Sequence, residues 1–268
     1  MAASLTQEHV NRFREDGVVC LRGLFDASQI ALIEQGIKQN IENPSPYGKQ
    51  KLDENTGFFD DYDNWRRIEP YQRFVRHSPA AEMVAGLMES AAATFYHEHV
   101  LIKNRGCAAK TPWHHDQPYY PISGMQTCSL WIPLDPVSAE TCVHYVQGSH
   151  RWGKMFMPRK FLDASDYAME GGGAPLASVP DIDADPNTYK QLAWDLAVGD
   201  CIAFNMLTLH ASSGNCSTHH RRALATRWFG DDVRFQPRPW EISPARSGGL
   251  SAGQAMACID FPRIWPKQ

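Results

Sequence analysis

From about Thr94 onward the chain divides into short apolar runs separated by turn residues, and this constrains the fold more than any other feature of the sequence. The runs are Phe95–Lys103, Thr111–Asp116, Thr127–Leu134, Cys142–Gln147, Cys201–Leu209 and Arg221–Phe229. Short strands with turns between them, and no helical pattern alternating with them, predict an antiparallel sandwich or barrel rather than a parallel α/β sheet. The first third reads differently. Ser4 with Gln7, or Thr6, can cap a helix that runs to about Asp16, and Gly17 suits the left-handed position that ends it. Val18–Phe25 reads as a strand. Asp26 with Gln29 caps a second helix, with Ile30, Ile33 and Ile37 on one stripe, that stops before Pro44. Residues 44–75 lose periodicity, their aromatics either packing on the core or closing over a ligand, and Ala80–Ala93 reads as a helix. A second irregular stretch, about Pro158–Tyr189, contains Gly171-Gly172-Gly173 without phosphate-loop spacing and is expected to be a flexible, lid-like connection. No repeat or linker interrupts the 268 residues, so one domain is expected: helices over about 4–93, a β core over about 94–230 and an extension over 231–268.

Composition narrows the function class. A net charge of −4 with no basic block leaves no electrostatic footprint for nucleic acid. The first residues lack the charged and apolar regions of a secretion signal, and no apolar run approaches the ~18 residues of a membrane span. The seven cysteines are odd in number, irregular in spacing and without a C-x-x-C, which argues for a reducing compartment and makes the cytoplasm the expected location.

Eleven histidines stand out, and position decides which matter. In Thr111–Asp116, His114 and Asp116 are two apart and on a strand would face one side, with His115 facing the other. One imidazole and one carboxylate make two-thirds of the facial triad that holds non-haem Fe(II). The pattern alone is weak: eleven histidines among 18 aspartates in 268 residues yield about 0.7 H-x-D matches by chance. Context strengthens it. Gly199-Asp200 reads as a turn, followed by an apolar strand leading to His210, and Arg221 opens the next strand eleven residues later. A planar guanidinium near a metal is a natural bidentate partner for an organic carboxylate.

The blocks Trp113-His114-His115-Asp116-Gln117, Gln147-Gly148-Ser149-His150 and Gly199-Asp200…His210-Ala211-Ser212…Asn215…Arg221, with the helix–Gly17–strand–helix opening, resemble the phytanoyl-CoA dioxygenase family over about residues 4–230. The resemblance implies a mainly β chain with flanking helices around a double-stranded β-helix (jelly-roll, cupin-like) core. It implies an Fe(II)- and 2-oxoglutarate-dependent dioxygenase that hydroxylates a small organic metabolite with O2, releasing succinate and CO2. It makes His114, Asp116 and His210 the iron ligands, and Arg221, assisted by Ser212, the anchor of the 2-oxoglutarate distal carboxylate. Halogenases related to this family lack the carboxylate ligand, so Asp116 favours hydroxylation or another oxidative step such as desaturation or ring formation. Gln147 stands where the family commonly has proline, and a glycine common in the preceding segment is missing around Thr141-Cys142. Both differences bear on loop shape rather than on iron. Gln117, Tyr119 and Tyr120, which follow the H-x-D block, and Lys103, on a neighbouring strand, are the candidate substrate contacts, weighed against a purely structural role for each. Arg222 should face away from Arg221. His97, His99, His115, His150, His219 and His220 are weighed as metal ligands and set aside. The alternatives are a non-catalytic metal-binding β-helix protein and a metal-dependent hydrolase, neither of which calls for Arg221.

Overall fold

A computed structural model of the chain describes residues 5–49, 57–160, 165, 167–169 and 176–267. Thr6 caps helix α1 (Gln7–Asp16), its hydroxyl accepting from the His9 amide while His9 Nδ1 accepts from the Thr6 amide. Ser4, the other candidate cap, lies outside the described residues. Gly17 closes α1 at φ +77° and leads into strand β1 (Val18–Leu21), which ends sooner than the apolar run because Arg22 and Gly23 turn onto Asp200. Asp26 and Gln29 form the expected capping box of α2 (Ala27–Glu42), and Ile30, Ile33 and Ile37 are its buried stripe.

Residues 44–75 are more ordered than their lack of periodicity suggests. They form a short helix α3 (Pro46–Lys49), strand β2 (Phe58–Tyr62) and helix α4 (Glu69–His77). Two consecutive aspartates conceal β2. Asp61 is satisfied by Asn40 and Ser45, and Asp60 by His99, all distant in sequence. Helix α5 (Ala80–Leu87) stops six residues before the expected end, because Glu89 turns at φ +50° and Ala93 already starts strand β3 (Ala93–Lys103).

The strands that follow are β4 (Thr111–His114), β5 (Ile122–Ser123), β6 (Thr127–Pro133), β7 (Val143–Val146), β8 (Gln191–Leu192), β9 (Cys201–Phe204), β10 (His210–Ser212), β11 (Arg221–Phe229), β12 (Arg234–Phe235) and β13 (Arg263–Trp265). The expected strand Cys201–Leu209 thus ends at Phe204, and a turn over Asn205–Leu209 transfers the chain to the other sheet, where β10 begins. Seven antiparallel strands form the larger sheet, in the order β1-β9-β6-β11-β3-β13 with β2 also paired to β3. The smaller sheet has the order β4-β10-β7-β8. Two curled antiparallel sheets of this kind make a jelly roll. Each strand of the larger sheet has an outer and an inner row. The outer row (Leu130, Ile132, Leu224, Trp228) packs on α2, α4 and α5, each fully buried aliphatic or aromatic side chain contributing about 1.5–3 kcal/mol. The inner row, with Trp131, Ile202, Phe204, Ala223 and Ala225, faces the smaller sheet, where Tyr145 of β7 packs in the same cluster. The extension after residue 230 pairs β12 with β5 and β13 with the start of β3. All seven cysteines are free thiols. No helix among the described residues is long and apolar enough to cross a membrane.

Candidate metal centre and its cavity

The strand-to-strand register brings the two distant histidine blocks together. His114, the last residue of β4, pairs directly with His210, the first of β10, and their ring centroids are 4.2 Å apart. Gly17 supports this arrangement from outside. Its carbonyl accepts from the Asn205 amide and the Thr208 hydroxyl, which pins the turn ahead of His210 to the end of α1. A Cβ at position 17 would fall 2.3 Å from His150 Nδ1 and 2.5 Å from Thr208 Oγ1, so only glycine fits.

Asp116 lies beyond the end of β4, in helical backbone (φ −72°, ψ −36°) leading into a 3-10 turn over Gln117–Tyr119. It therefore reaches the His114 side through a bend rather than by strand alternation. Its Oδ1 is 3.8 Å from His114 Nε2 and 3.7 Å from His210 Nε2. The three residues are buried, and one ligand atom from each lies within 4.8 Å of the others. The tautomers are set by backbone. His114 Nδ1 donates to the Pro112 carbonyl (2.8 Å) and His210 Nδ1 to the Thr208 carbonyl (3.0 Å), so each Nε2 carries a lone pair toward Asp116. Burial keeps both rings neutral, with His114 pushed down to about 3. Burial is the largest single influence and would raise the Asp116 carboxyl, but the Arg227 guanidinium, the two neighbouring imidazoles and the Ser129 hydroxyl together outweigh it and hold the group below the usual range. Arg227 Nε (3.0 Å) and Ser129 Oγ (3.0 Å) both bind Asp116 Oδ2, leaving Oδ1 to the imidazoles. Two neutral imidazoles and one ionised carboxylate, oriented by neighbours, are a donor set that fits a divalent first-row metal.

These groups open into a cavity of ≈ 730 Å³ between the sheets. Arg221 enters it from the first position of β11, donating to the Thr141 carbonyl and to Ser212 Oγ (3.3 Å). Arg222 points outward to Asp135 and Glu34, as strand alternation requires. Lys103, paired with Arg221 across β3 and β11, is 3% exposed and donates to Ser212 Oγ (3.0 Å) and the Ser213 carbonyl (3.0 Å). Burial, then the Arg221 charge, lower its pKa to about 7. It therefore belongs to the Arg221–Ser212 group rather than to the neighbourhood of Tyr119 and Tyr120. Those two tyrosines line the cavity, the Tyr119 hydroxyl donating to the Arg159 carbonyl (2.6 Å) and the Tyr120 hydroxyl accepting from Arg227 Nε (3.1 Å). Gln117 does not line it. The 3-10 turn rotates its side chain onto the Gly124 carbonyl (3.1 Å), correcting its assignment as a substrate contact. Arg159, Lys160 and Tyr167, from the irregular 158–189 stretch, close one side, while Gly171-Gly172-Gly173 lies outside the described residues.

The six other histidines weighed as ligands have other places. His115 Nε2 accepts from the Phe156 amide (2.9 Å), His150 Nε2 donates to the Arg14 carbonyl (3.1 Å), and His219 and His220 are exposed. His97 and His99 do line the cavity, on the inner row of β3, but stand outside the metal group. Sequence reasoning missed Arg227 and Ser129. The signal for Arg227 was available: counting in twos from Arg221 along the strand places 223, 225 and 227 on the same inward face.

Comparison with known proteins agrees with this architecture. The chain has the fold of the non-heme α-ketoglutarate-dependent carbocyclase SnoK from nogalamycin biosynthesis (TM-score 0.75, 20% identity, 98% of each chain covered). It likewise matches the epimerase SnoN in complex with Fe3+, α-ketoglutarate and nogalamycin RO (TM-score 0.73, 19% identity, 96% of this chain and 98% of that one). EctD from S. alaskensis with 2-oxoglutarate and 5-hydroxyectoine shares it too (TM-score 0.69, 15% identity, 94% and 86%). A probable phytanoyl-CoA dioxygenase of Caenorhabditis elegans is 20% identical over 167 residues, 60% of this chain, and the chain spans about half the length of that relative. The sequence profile described as phytanoyl-CoA dioxygenase (PhyH) matches residues 13–223, which takes in α2, both histidine blocks and Arg221. With the match covering most of the chain and the jelly roll built around it, the protein belongs to the phytanoyl-CoA dioxygenase family.

Proposed function

We propose that the chain is an Fe(II)- and 2-oxoglutarate-dependent oxygenase that hydroxylates a small organic substrate. The observation that carries this reading is the convergence of His114 Nε2, His210 Nε2 and Asp116 Oδ1 in the same buried cavity as Arg221. Family membership and the fold shared with SnoK, SnoN and EctD support it. His114, Asp116 and His210 would hold the iron. Bound iron and 2-oxoglutarate together supply the oxidising chemistry, converting the co-substrate to succinate and CO2 while O2 oxidises the substrate.

The residues of the chain perform the rest. The Pro112 and Thr208 carbonyls keep a proton on each Nδ1, so that both imidazoles offer Nε2. Arg227 and Ser129 keep Asp116 ionised and its Oδ1 turned to the metal side. Arg221 binds the distal carboxylate of 2-oxoglutarate, with Ser212 aligning its guanidinium and Lys103 adding a second donor. Tyr119 and Tyr120 line the substrate half, where the buried walls exclude water. SnoK and SnoN are named as a carbocyclase and an epimerase, so ring closure and epimerisation are alternative outcomes at the same centre.

Anaerobic protein mixed with Fe(II) and 2-oxoglutarate should develop the weak visible charge-transfer band of the chelated co-substrate, and slow succinate release without substrate should accompany exposure to air. Absence of the band in the wild type, or an undiminished band in Arg221→Ala, overturns the proposal. A non-catalytic metal-binding protein would bind the metal without releasing succinate.

A further inference from the structure

Strands β3 and β11 lie side by side with their inner rows facing the cavity, and their register gives it two polar ends. At one end Lys103 pairs with Arg221. Leu101 with Ala223 and His99 with Ala225 follow as small or neutral steps. Continued one step beyond Thr226–Glu98, the same register sets Arg227 beside His97, and it shifts only on reaching Trp228 and Phe95. The first end is occupied by the chain's own Ser212 and, in the proposed function, by the distal carboxylate of 2-oxoglutarate.

The second end has open valences. Arg227 spends Nε on Asp116 and Tyr120, but among the described residues its Nη1 has no hydrogen-bond partner, although the residue is 4% exposed. His97, 2% exposed, donates Nδ1 to the Glu98 carbonyl (3.0 Å), which leaves Nε2 a bare acceptor, also without a partner. Both residues line the cavity. Burial and the Arg227 charge push the His97 pKa well below its usual value, so the ring stays an acceptor. Buried polar groups in folded proteins are paired, and two orphans on one cavity wall point to a ligand that supplies the partners. The surrounding surface is aromatic: the Tyr120 ring lies edge-on to His97 at 5.3 Å and Tyr62 at 6.1 Å.

We infer that Arg227 and His97 form a substrate subsite for a neutral group that accepts and donates at once, an alcohol or primary amide carried on a ring, and that they discriminate against a carboxylate. A carboxylate would satisfy Arg227 but set its oxygen against the His97 lone pair. The inference rests on the oxygenase reading only in giving this half of the cavity to the substrate.

Benzamide, benzyl alcohol and benzoate serve as probes, titrated by ligand-observed NMR into protein saturated with 2-oxoglutarate and Zn(II). Benzamide and benzyl alcohol should bind about tenfold more tightly than benzoate. His97→Phe should abolish that preference, and His97→Gln, which keeps an acceptor, should retain it. Equal affinity for benzoate in the wild type, survival of the preference in His97→Phe, or no saturable binding of any probe overturns the inference. Zn(II) and 2-oxoglutarate binding is followed in the same samples by the rise in Tm. Its absence would count against the oxygenase reading, while the probe ratios measured without them still decide the subsite.

Discussion

Replacing Arg227 by methionine tests how the metal-binding carboxylate is held. Arg227 and Asp116 are each 4% exposed and their charged atoms are 3.0 Å apart. At an effective dielectric constant near 20 that separation corresponds to about 5.5 kcal/mol of attraction. The Ser129 hydroxyl, also on Oδ2, would still stabilise the stranded carboxylate. Breaking a buried pair by removing one partner costs about 3–5 kcal/mol. For 268 residues this is a fall in Tm of about 5–9 °C in metal-free protein. A divalent cation beside Oδ1 replaces the missing positive charge, so added Zn(II) or Mn(II) should raise the Tm of the variant by more than it raises that of the wild type. Arg222→Met is the control on the same strand. Arg222 is a third exposed in its pairs with Asp135 and Glu34, and its loss should cost under about 1 kcal/mol. Denaturant titrations of chelator-treated proteins measure each value. A metal-free Arg227→Met variant within about 1 kcal/mol of wild type would refute the reasoning, as would equal stabilisation of both proteins by metal.

Three further outcomes are expected. Gly17→Ala should lose about 2–4 kcal/mol in chemical denaturation, since alanine at φ +77° is strained and its Cβ would press on His150 and Thr208. Burial holds the Lys103 ammonium near 7 against 10.5 in the unfolded chain, so the unfolded state binds more protons between those values and stability should rise with pH across that window. Lys103→Met should flatten the rise, seen as the difference between wild-type and variant denaturation free energies at pH 7 and pH 10. His114→Ala should abolish stoichiometric binding of a divalent metal by calorimetry, whereas His115→Gln should keep one ion per chain and lose only about 1–3 kcal/mol of stability from the unpaired Phe156 amide.

Much of this arrangement can be read from the residues, because local signals and long-range placement coincide there. The capping box at Asp26 and Gln29, the stripe of α2, and the opposite faces of Arg221 and Arg222 follow from short-range rules. Asp116 shows where such rules stop. Alternation groups it with His114, but a bend into a 3-10 turn achieves the grouping, and that same bend carries Gln117 away from the cavity. Strand β2 was illegible because its two buried aspartates are satisfied by Asn40, Ser45 and His99, partners that only the folded chain supplies. Lys103 has no local mark linking it to Arg221, since their neighbourhood is a register between strands more than a hundred residues apart in sequence.

The placement of both cavity arginines on β11 limits how this sequence can change length. The 104–110 and 213–220 connections are held at the Lys103–Arg221 end by Asn215, which bridges to Cys107 and donates to the Lys103 and Asn104 carbonyls. Within β11 a single insertion or deletion between Arg222 and Thr226 would invert every side chain beyond it, sending Arg227 toward the helices and bringing Thr226 or Trp228, respectively, to Asp116. Length variation among active descendants of this chain is therefore expected to spare the nine residues of Arg221–Phe229.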